Sequence, residues 1–94
     1  MCGIAGLYNL QHKPIPHDNL GKMCDAIAHR GPDDEGYVYM DGYIGIGHRR
    51  LAIIDLTDAG HQPMMSRNAN IWVSYNGEIY NFKELHKELL NGLL

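Results

Sequence analysis

Three short clusters in this 94-residue chain carry side chains able to do chemistry. The first is Cys2. A small residue after the initiator Met generally permits Met removal, which leaves a thiol and a free α-amino group on one residue. The amine's reference pKa of about 7.7–8.0 suits a general base near neutral pH. A terminal amine acting as base for its own side-chain nucleophile is an established arrangement. The plain alternative is a small buried hydrophobe, the usual state of a free Cys. The second cluster is Arg49-Arg50, between two apolar runs. A guanidinium fork binds a carboxylate through two charge-assisted hydrogen bonds, as an amino-acid substrate requires; a solvated basic pair at a strand turn is the alternative. The third is Asn76-Gly77-Glu78. Asn offers a side-chain N–H and Gly an unhindered backbone N–H, the ingredients of an oxyanion hole, and Glu78 can accept from a substrate ammonium. Asn-Gly is equally the strongest turn dipeptide.

Other chemistry fits less well. Six His and two Cys raise the question of metal, but no CxxC, HExxH or paired-ligand spacing occurs. His12 and His17 flank prolines and are expected at the surface, while His29, His48, His61 and His86 lie in four separate elements. Gly45-Ile46-Gly47 lacks the third Gly and the following helix of a dinucleotide loop, and no Walker A sequence is present. Arg30 and Asp33 read as a charge pair locking their loop.

The elements that must position these residues are short. Gly3-Ile4-Ala5-Gly6-Leu7-Tyr8 reads as a buried strand whose backbone lies close to a neighbour, and residues 9–17 read as a loop. Leu20, Met23, Cys24 and Ile27 then fall at i, i+3, i+4 and i+7, one face of a helix capped by Asp18 and stopped at Gly31-Pro32. Asp41-Gly42, between Tyr37–Met40 and Tyr43–Gly47, is a hairpin signal. Two further strand-length runs are Leu51–Leu56 and Ile71–Tyr75, separated by a loop over 57–70. Asn81 and Glu84 resemble a capping box opening a short helix with Leu85, Leu89 and Leu90 on one face. Strands outnumber helices and cluster, so the fold class is α+β rather than a doubly wound sheet.

Composition narrows the function classes. Eight Lys+Arg against eleven Asp+Glu give a formal charge of −3, which supplies no attraction for nucleic acid or an anionic membrane. No apolar run approaches the ~18 residues of a membrane span. Polar Asn9 to Lys13 end the apolar start too early for a secretory signal, and Cys2 stands where myristoylation needs Gly. Two Cys make no disulfide framework. The expectation is one small cytoplasmic domain.

Taken jointly and in order, the stretches MCGIAG, HRGPDDEG, HRRLAIIDL and NGEIYNF resemble the glutaminase domain of class II glutamine amidotransferases. HRGPD and RLAIID make the chain more similar to the amino-terminal part of glutamine-hydrolysing asparagine synthetases than to the sugar-phosphate and purine-pathway branches. The resemblance implies an N-terminal nucleophile hydrolase fold, a four-layer α/β/β/α sandwich. It also implies roles. Cys2, freed of Met1, attacks the side-chain amide carbon of glutamine, with its own amine as base through a water. Asn76 and Gly77 stabilise the oxyanion. Arg50 clamps the substrate α-carboxylate, helped by the backbone of Leu51, Ala52, Ile53 and Ile54, and Glu78 lies near the substrate's amino end. No metal or cofactor is implied for this segment; ATP and Mg²⁺ are implied for a synthetase domain that uses the released ammonia on aspartate. Glutamine and that domain are the implied partners, and a homodimer is compatible with the resemblance.

The final helix begins barely a dozen residues before the last one, and the family's next motif, a loop whose Asp holds the substrate ammonium, does not appear. Residues 1–94 are therefore expected to be part of an amidotransferase domain, with unpaired strand edges and an exposed apolar layer. A non-catalytic remnant acting as a glutamine-binding or regulatory module is the competing reading. The isolated chain is expected to show weak stability and little glutaminase activity; a cooperative calorimetric transition with steady glutamate release from glutamine contradicts this.

Overall fold

The computed structural model describes residues 2–52 and 58–93. Its centre is a three-stranded antiparallel sheet in the order β1 (Gly3–Tyr8), β3 (Ile44–Arg50), β2 (Asp34–Met40). β3 pairs with both neighbours from Ile44, opposite Tyr8 and Met40, to Arg49, opposite Gly3 and Glu35, and its last residue, Arg50, pairs with Asp34 of β2 alone. The expected hairpin is present. Asp41 and Gly42 turn the chain with φ of 54° and 78°, the left-handed region that Gly enters without steric cost and Asp tolerates. The turn is tied to the loop after β1, since Ile15 N–H donates to the Gly42 carbonyl (2.8 Å) and Asn9 N–H to that of Tyr43 (2.9 Å).

Helix α1 (Asn19–Ala26) covers one face of this sheet. Leu20 and Cys24 are fully buried and Met23 and Ile27 half-buried, so the expected stripe is the packed one. Two glycines of β3 explain how close the helix comes. A Cβ on Gly45 would lie 2.6 Å from Leu20 Cδ1, and one on Gly47 would lie 2.7 Å from Cys24 Sγ. The Gly-Ile-Gly spacing is therefore a seat for a helix. Burial pushes the Cys24 thiol pKa up, keeping it protonated and unreactive.

The ends of α1 differ from the expected pattern. Asp18 occupies the cap position without a side-chain capping bond. Its carboxylate instead pairs with Lys22, one turn on, at 3.0 Å, an exposed contact of little weight. A 3₁₀ turn, Ala28–Arg30, carries the chain to Gly31-Pro32. Asn81 likewise precedes α2 (Phe82–Glu88) without a side-chain cap, and α2 passes into a π-helical stretch, Leu89–Leu93.

Strand extents also depart from the sequence reading. β3 runs through Arg49-Arg50, which were expected between strands. Leu51 and Ala52 lie outside any strand, and the rest of the Leu51–Leu56 run falls at residues 53–56, outside the described residues. The expected strand at Ile71–Tyr75 is only β5 (Trp72–Val73). It pairs with β4 (Met64–Met65), inside the stretch expected to be a loop. The architecture is α+β, with two sheets and two α-helices among the described residues. Much apolar surface is open: Ile4, Ile71, Val73, Ile79, Tyr80 and Leu90 are each at least half exposed.

The helix seat yields a test. Gly47→Ala should cost about 1–3 kcal/mol by overpacking against the Cys24 sulfur. Combined with Cys24→Ala, which removes that sulfur, part of the cost should return. Urea midpoints of the two single variants and the double variant measure the coupling; strictly additive losses would show that the sulfur is not the obstacle.

Candidate active site

Alternation along β3 sends Gly45, Gly47 and Arg49 toward α1 and Ile46, His48 and Arg50 to the opposite face. Cys2 precedes β1 by one residue, and the register Gly3–Arg49 continued by one residue sets it across from Arg50. Its Sγ lies 3.4 Å from the Leu51 N–H, which donates to it, and 3.9 Å from the Leu51 carbonyl. The sulfur is thus held at the end of β3, beside the residues that follow Arg50. Arg50 is itself buried, with 8% exposure. Its guanidinium packs against Gly60, where a Cβ would collide with it. Gly60 closes a 3₁₀ turn, Asp58–Gly60.

The His29–Asp33 loop locks this corner, though not by the expected internal charge pair. Arg30 Nε donates to the Cys2 carbonyl at 3.2 Å, fixing the backbone that carries the thiol. Asp33 N–H donates to the Arg50 carbonyl (3.0 Å), and its carboxylate accepts from Ala52 N–H (2.8 Å). Arg49 reaches across the other face, with Nε donating to the Gly31 carbonyl (3.0 Å) and the guanidinium paired with Glu35. One loop therefore braces Cys2, Arg50 and Ala52. Ile53 and Ile54, expected to help hold substrate, lie outside the described residues.

Asn76, Gly77 and Glu78 follow β5 and are exposed. They are reached through Tyr75, whose N–H donates to Gln62 Oε1 at 2.6 Å and whose carbonyl accepts from His48 Nε2 at 3.1 Å. The Ser74 hydroxyl donates to the Gly47 carbonyl at 3.2 Å, so β3 tethers this segment twice. Gly77 and Glu78 border an apolar hollow with Tyr75, Ile79, Tyr80 and Phe82. The structure joins Cys2, Arg50, Leu51 and Ala52 into one corner. Among the described residues no hydrogen bond links Asn76, Gly77 or Glu78 to Cys2.

His61 and Asp34 form an ion pair at 2.5 Å beside this face. Burial alone would raise the Asp34 pKa. The His61 hydrogen bond, the Glu35 N–H and the charges of His61 and Arg50 outweigh it and lower the pKa below the usual carboxylate value. For His48 burial is the largest influence and lowers the pKa below its ordinary value, which favours the neutral ring. Sequence reasoning passed over His48 and Gln62, since only long-range pairing brings them to Tyr75. No three His, Cys, Asp or Glu among the described residues gather as a metal site, and no helix there is long and apolar enough to cross a membrane.

Residues 1–93 match the glutamine amidotransferase domain family, so the chain belongs to that family. It is similar to "Asparagine synthetase [glutamine-hydrolyzing] 2" of Bacillus subtilis, with 46% identity over 97% of this chain and 12% of the relative. It is also similar to "Putative asparagine synthetase [glutamine-hydrolyzing] 2" of Methanocaldococcus jannaschii, with 44% identity over 97% of the chain and 21% of that protein. An asparagine synthetase of Brassica oleracea is 49% identical over 97% of the chain and 15% of its own length. The chain thus spans between 12% and 21% of these relatives. No solved structure matches it significantly.

The buried His48 predicts a pH response. Its folded pKa is below its ordinary value of 6.5, so the unfolded chain takes up this proton first as pH falls. The stability due to the neutral ring is therefore complete above about pH 6.5 and declines below it, by at most about 1.4 kcal/mol per pH unit. Denaturation midpoints between pH 7.5 and 5 should fall in the native chain. The fall should be shallower in His48→Gln, and equal slopes would remove His48 from the explanation.

Proposed function

We propose that this chain is the glutamine-hydrolysing segment of an asparagine synthetase. The observation that carries the reading is the corner where the Cys2 sulfur meets the Leu51 N–H beside a buried Arg50, in a chain of the amidotransferase family. With Met1 removed, the Cys2 amine, through a water, takes the thiol proton, and the sulfur attacks the side-chain amide carbon of glutamine. The carbonyl oxygen becomes an oxyanion that the Asn76 side-chain amide and the Gly77 N–H stabilise. Collapse breaks the C–N bond. The nitrogen takes the proton held by the amine and leaves as ammonia, and a γ-glutamyl thioester remains. Water then cleaves the C–S bond, giving glutamate and the free thiol.

Arg50 holds the substrate α-carboxylate through its fork, Leu51, Ala52, Ile53 and Ile54 are assigned to help it, and Glu78 meets the ammonium end. This corner supports the assignment because a buried cation on a braced strand is suited to a carboxylate ligand. The segment needs no metal or cofactor for these steps. ATP and Mg²⁺ belong to a synthetase domain that converts aspartate to asparagine with the ammonia, shielded from water so that it stays an unprotonated nucleophile. That domain is the partner we assign, with a homodimer as the assembly and the cytoplasm as the location, where a reducing pool keeps Cys2 a thiol. The complete unit would be the four-layer sandwich, with residues 1–94 as part of its amidotransferase domain.

A second reading is favoured by the exposure of Asn76-Gly77-Glu78 and by the lack of a hydrogen bond between them and Cys2 among the described residues. In it the chain is a non-catalytic module that binds glutamine or a complete synthetase. Labelling with a glutamine-shaped electrophile separates the two. Modification at Cys2 that glutamine blocks supports the enzyme, and absence of selective labelling supports the module. Cys2→Ala should abolish labelling and hydrolysis. Arg50→Lys should raise KM with kcat little changed, since Lys cannot reproduce the fork. Asn76→Ala should lower kcat by ~10²–10³. A residue left ahead of Cys2 should inactivate by acylating the amine; full activity there would sink the base assignment.

A further inference from the structure

His48 is almost completely buried, with 1% exposure, yet the steps above make no use of it. It stands in the middle of β3 on the face that carries Arg50, opposite Ile4 of β1 and Gly36 of β2. Its Nε2 is 3.1 Å from the Tyr75 carbonyl oxygen. A carbonyl only accepts, so Nε2 bears the proton and donates. Burial disfavours the imidazolium, which leaves the neutral Nε2–H tautomer. Nδ1 is then a bare acceptor, and it has no hydrogen-bond partner among the described residues. A buried acceptor without a donor is costly. An apolar side chain would fill this position without that cost, so the ring earns its position through the single bond to Tyr75.

That bond falls at a particular place. Tyr75 is gripped at its nitrogen by Gln62 Oε1, and Ser74 is gripped by the Gly47 carbonyl. The Tyr75 carbonyl belongs to the peptide that leads into Asn76. The Tyr75 ring folds back over the next residue but one: a Cβ on Gly77 would lie 2.8 Å from the Tyr75 hydroxyl oxygen. Asn76 and Gly77 themselves are exposed and start from this fixed point.

We propose that His48 is a positioning residue for the oxyanion site, its Nε2–H holding the Tyr75 carbonyl and thereby setting the direction of the Asn76 amide and the Gly77 N–H. The inference rests on the glutaminase reading above and adds to it a residue that touches neither substrate nor nucleophile. A displacement of about 1 Å at reacting groups can cost on the order of 10²-fold in rate, which is the scale on which such a residue is felt.

The experiment uses the full chain and two variants. His48→Ala removes the donor, and His48→Gln returns an amide N–H close to where Nε2–H lies. A glutamine-shaped diazoketone, whose carbonyl oxygen must enter the oxyanion site, reports on that site; iodoacetamide, which forms no oxyanion, reports on the thiol alone. In His48→Ala the diazoketone should modify Cys2 about ten- to a hundredfold more slowly. The glutamine concentration that protects should change less than twofold, and the iodoacetamide rate should match the native chain. His48→Gln should recover most of the loss. Native-rate diazoketone labelling in His48→Ala overturns the proposal, and so does an equal fall in both reagents, which would mean general loss of structure. Amide NMR signals of Asn76 and Gly77 decide the anchoring separately: they should shift in His48→Ala and return in His48→Gln, and unmoved signals overturn it. Absence of protectable labelling in the native chain would instead defeat the glutaminase reading, while the NMR comparison still judges the anchor.

Discussion

The fold depends on β3 serving two faces at once. A strand paired on both edges has no freedom to shift register, because a slip of one residue would turn every side chain to the wrong side. In β3 that slip would drive Ile46 and His48 into α1 and expose the glycines on which the helix rests. Gly45 and Gly47 accept Leu20 and Cys24 on one face. His48 and Arg50 occupy the other, where Tyr75 and Gly60 pack. The seat of the helix therefore fixes where the buried cation and the buried imidazole stand, and with them the corner that receives Cys2.

A strand end is normally where order is lost, and here it is where Cys2 meets Leu51. The loop His29–Asp33 compensates by spending its polar groups on other segments. Arg30 holds the Cys2 carbonyl, Asp33 spans the Arg50 carbonyl and the Ala52 N–H, and the Gly31 carbonyl accepts from Arg49. Each is a bond to a backbone group left unpaired where the ladder stops, or to a side chain leaving it. Such groups need partners when they are removed from water. The loop thus extends the order of β3 past its last paired residue.

These relations mark the limit of what the sequence could yield. The helix stripe and the Asp41-Gly42 turn were legible because their signals are local, set by residues three, four or two positions apart. The extent of β3 was not, since Arg49 becomes strand only by pairing with Gly3 and Glu35, 46 and 14 residues away, and Arg50 only by pairing with Asp34, 16 residues away. β4 was hidden for the same reason: Met64-Met65 need Trp72-Val73 opposite them. Within the site, Cys2, Arg50 and Asn76-Gly77 stood out through the joint order of their motifs. Arg30 and Asp33 were read as bonding to each other, where each in fact bonds to a distant backbone. His48 looked like one scattered His among six, because its partner is a carbonyl 27 residues on, and a carbonyl leaves no mark in sequence.

The charges on the open face follow a consistent logic. Arg50 places a guanidinium on this face, buried at the end of β3. A second cation beside it would be repelled, and the charge of Arg50 is among the influences that hold the His48 pKa down, after burial itself. The carboxylate of Asp34 stands opposite Arg50 across the sheet and is engaged by His61. This face thus carries a buried guanidinium, an imidazole donor holding the neighbouring loop, and an acid engaged by His61. If His48 were protonated it would add a second positive centre beside Arg50, with its charge removed from water by the same burial.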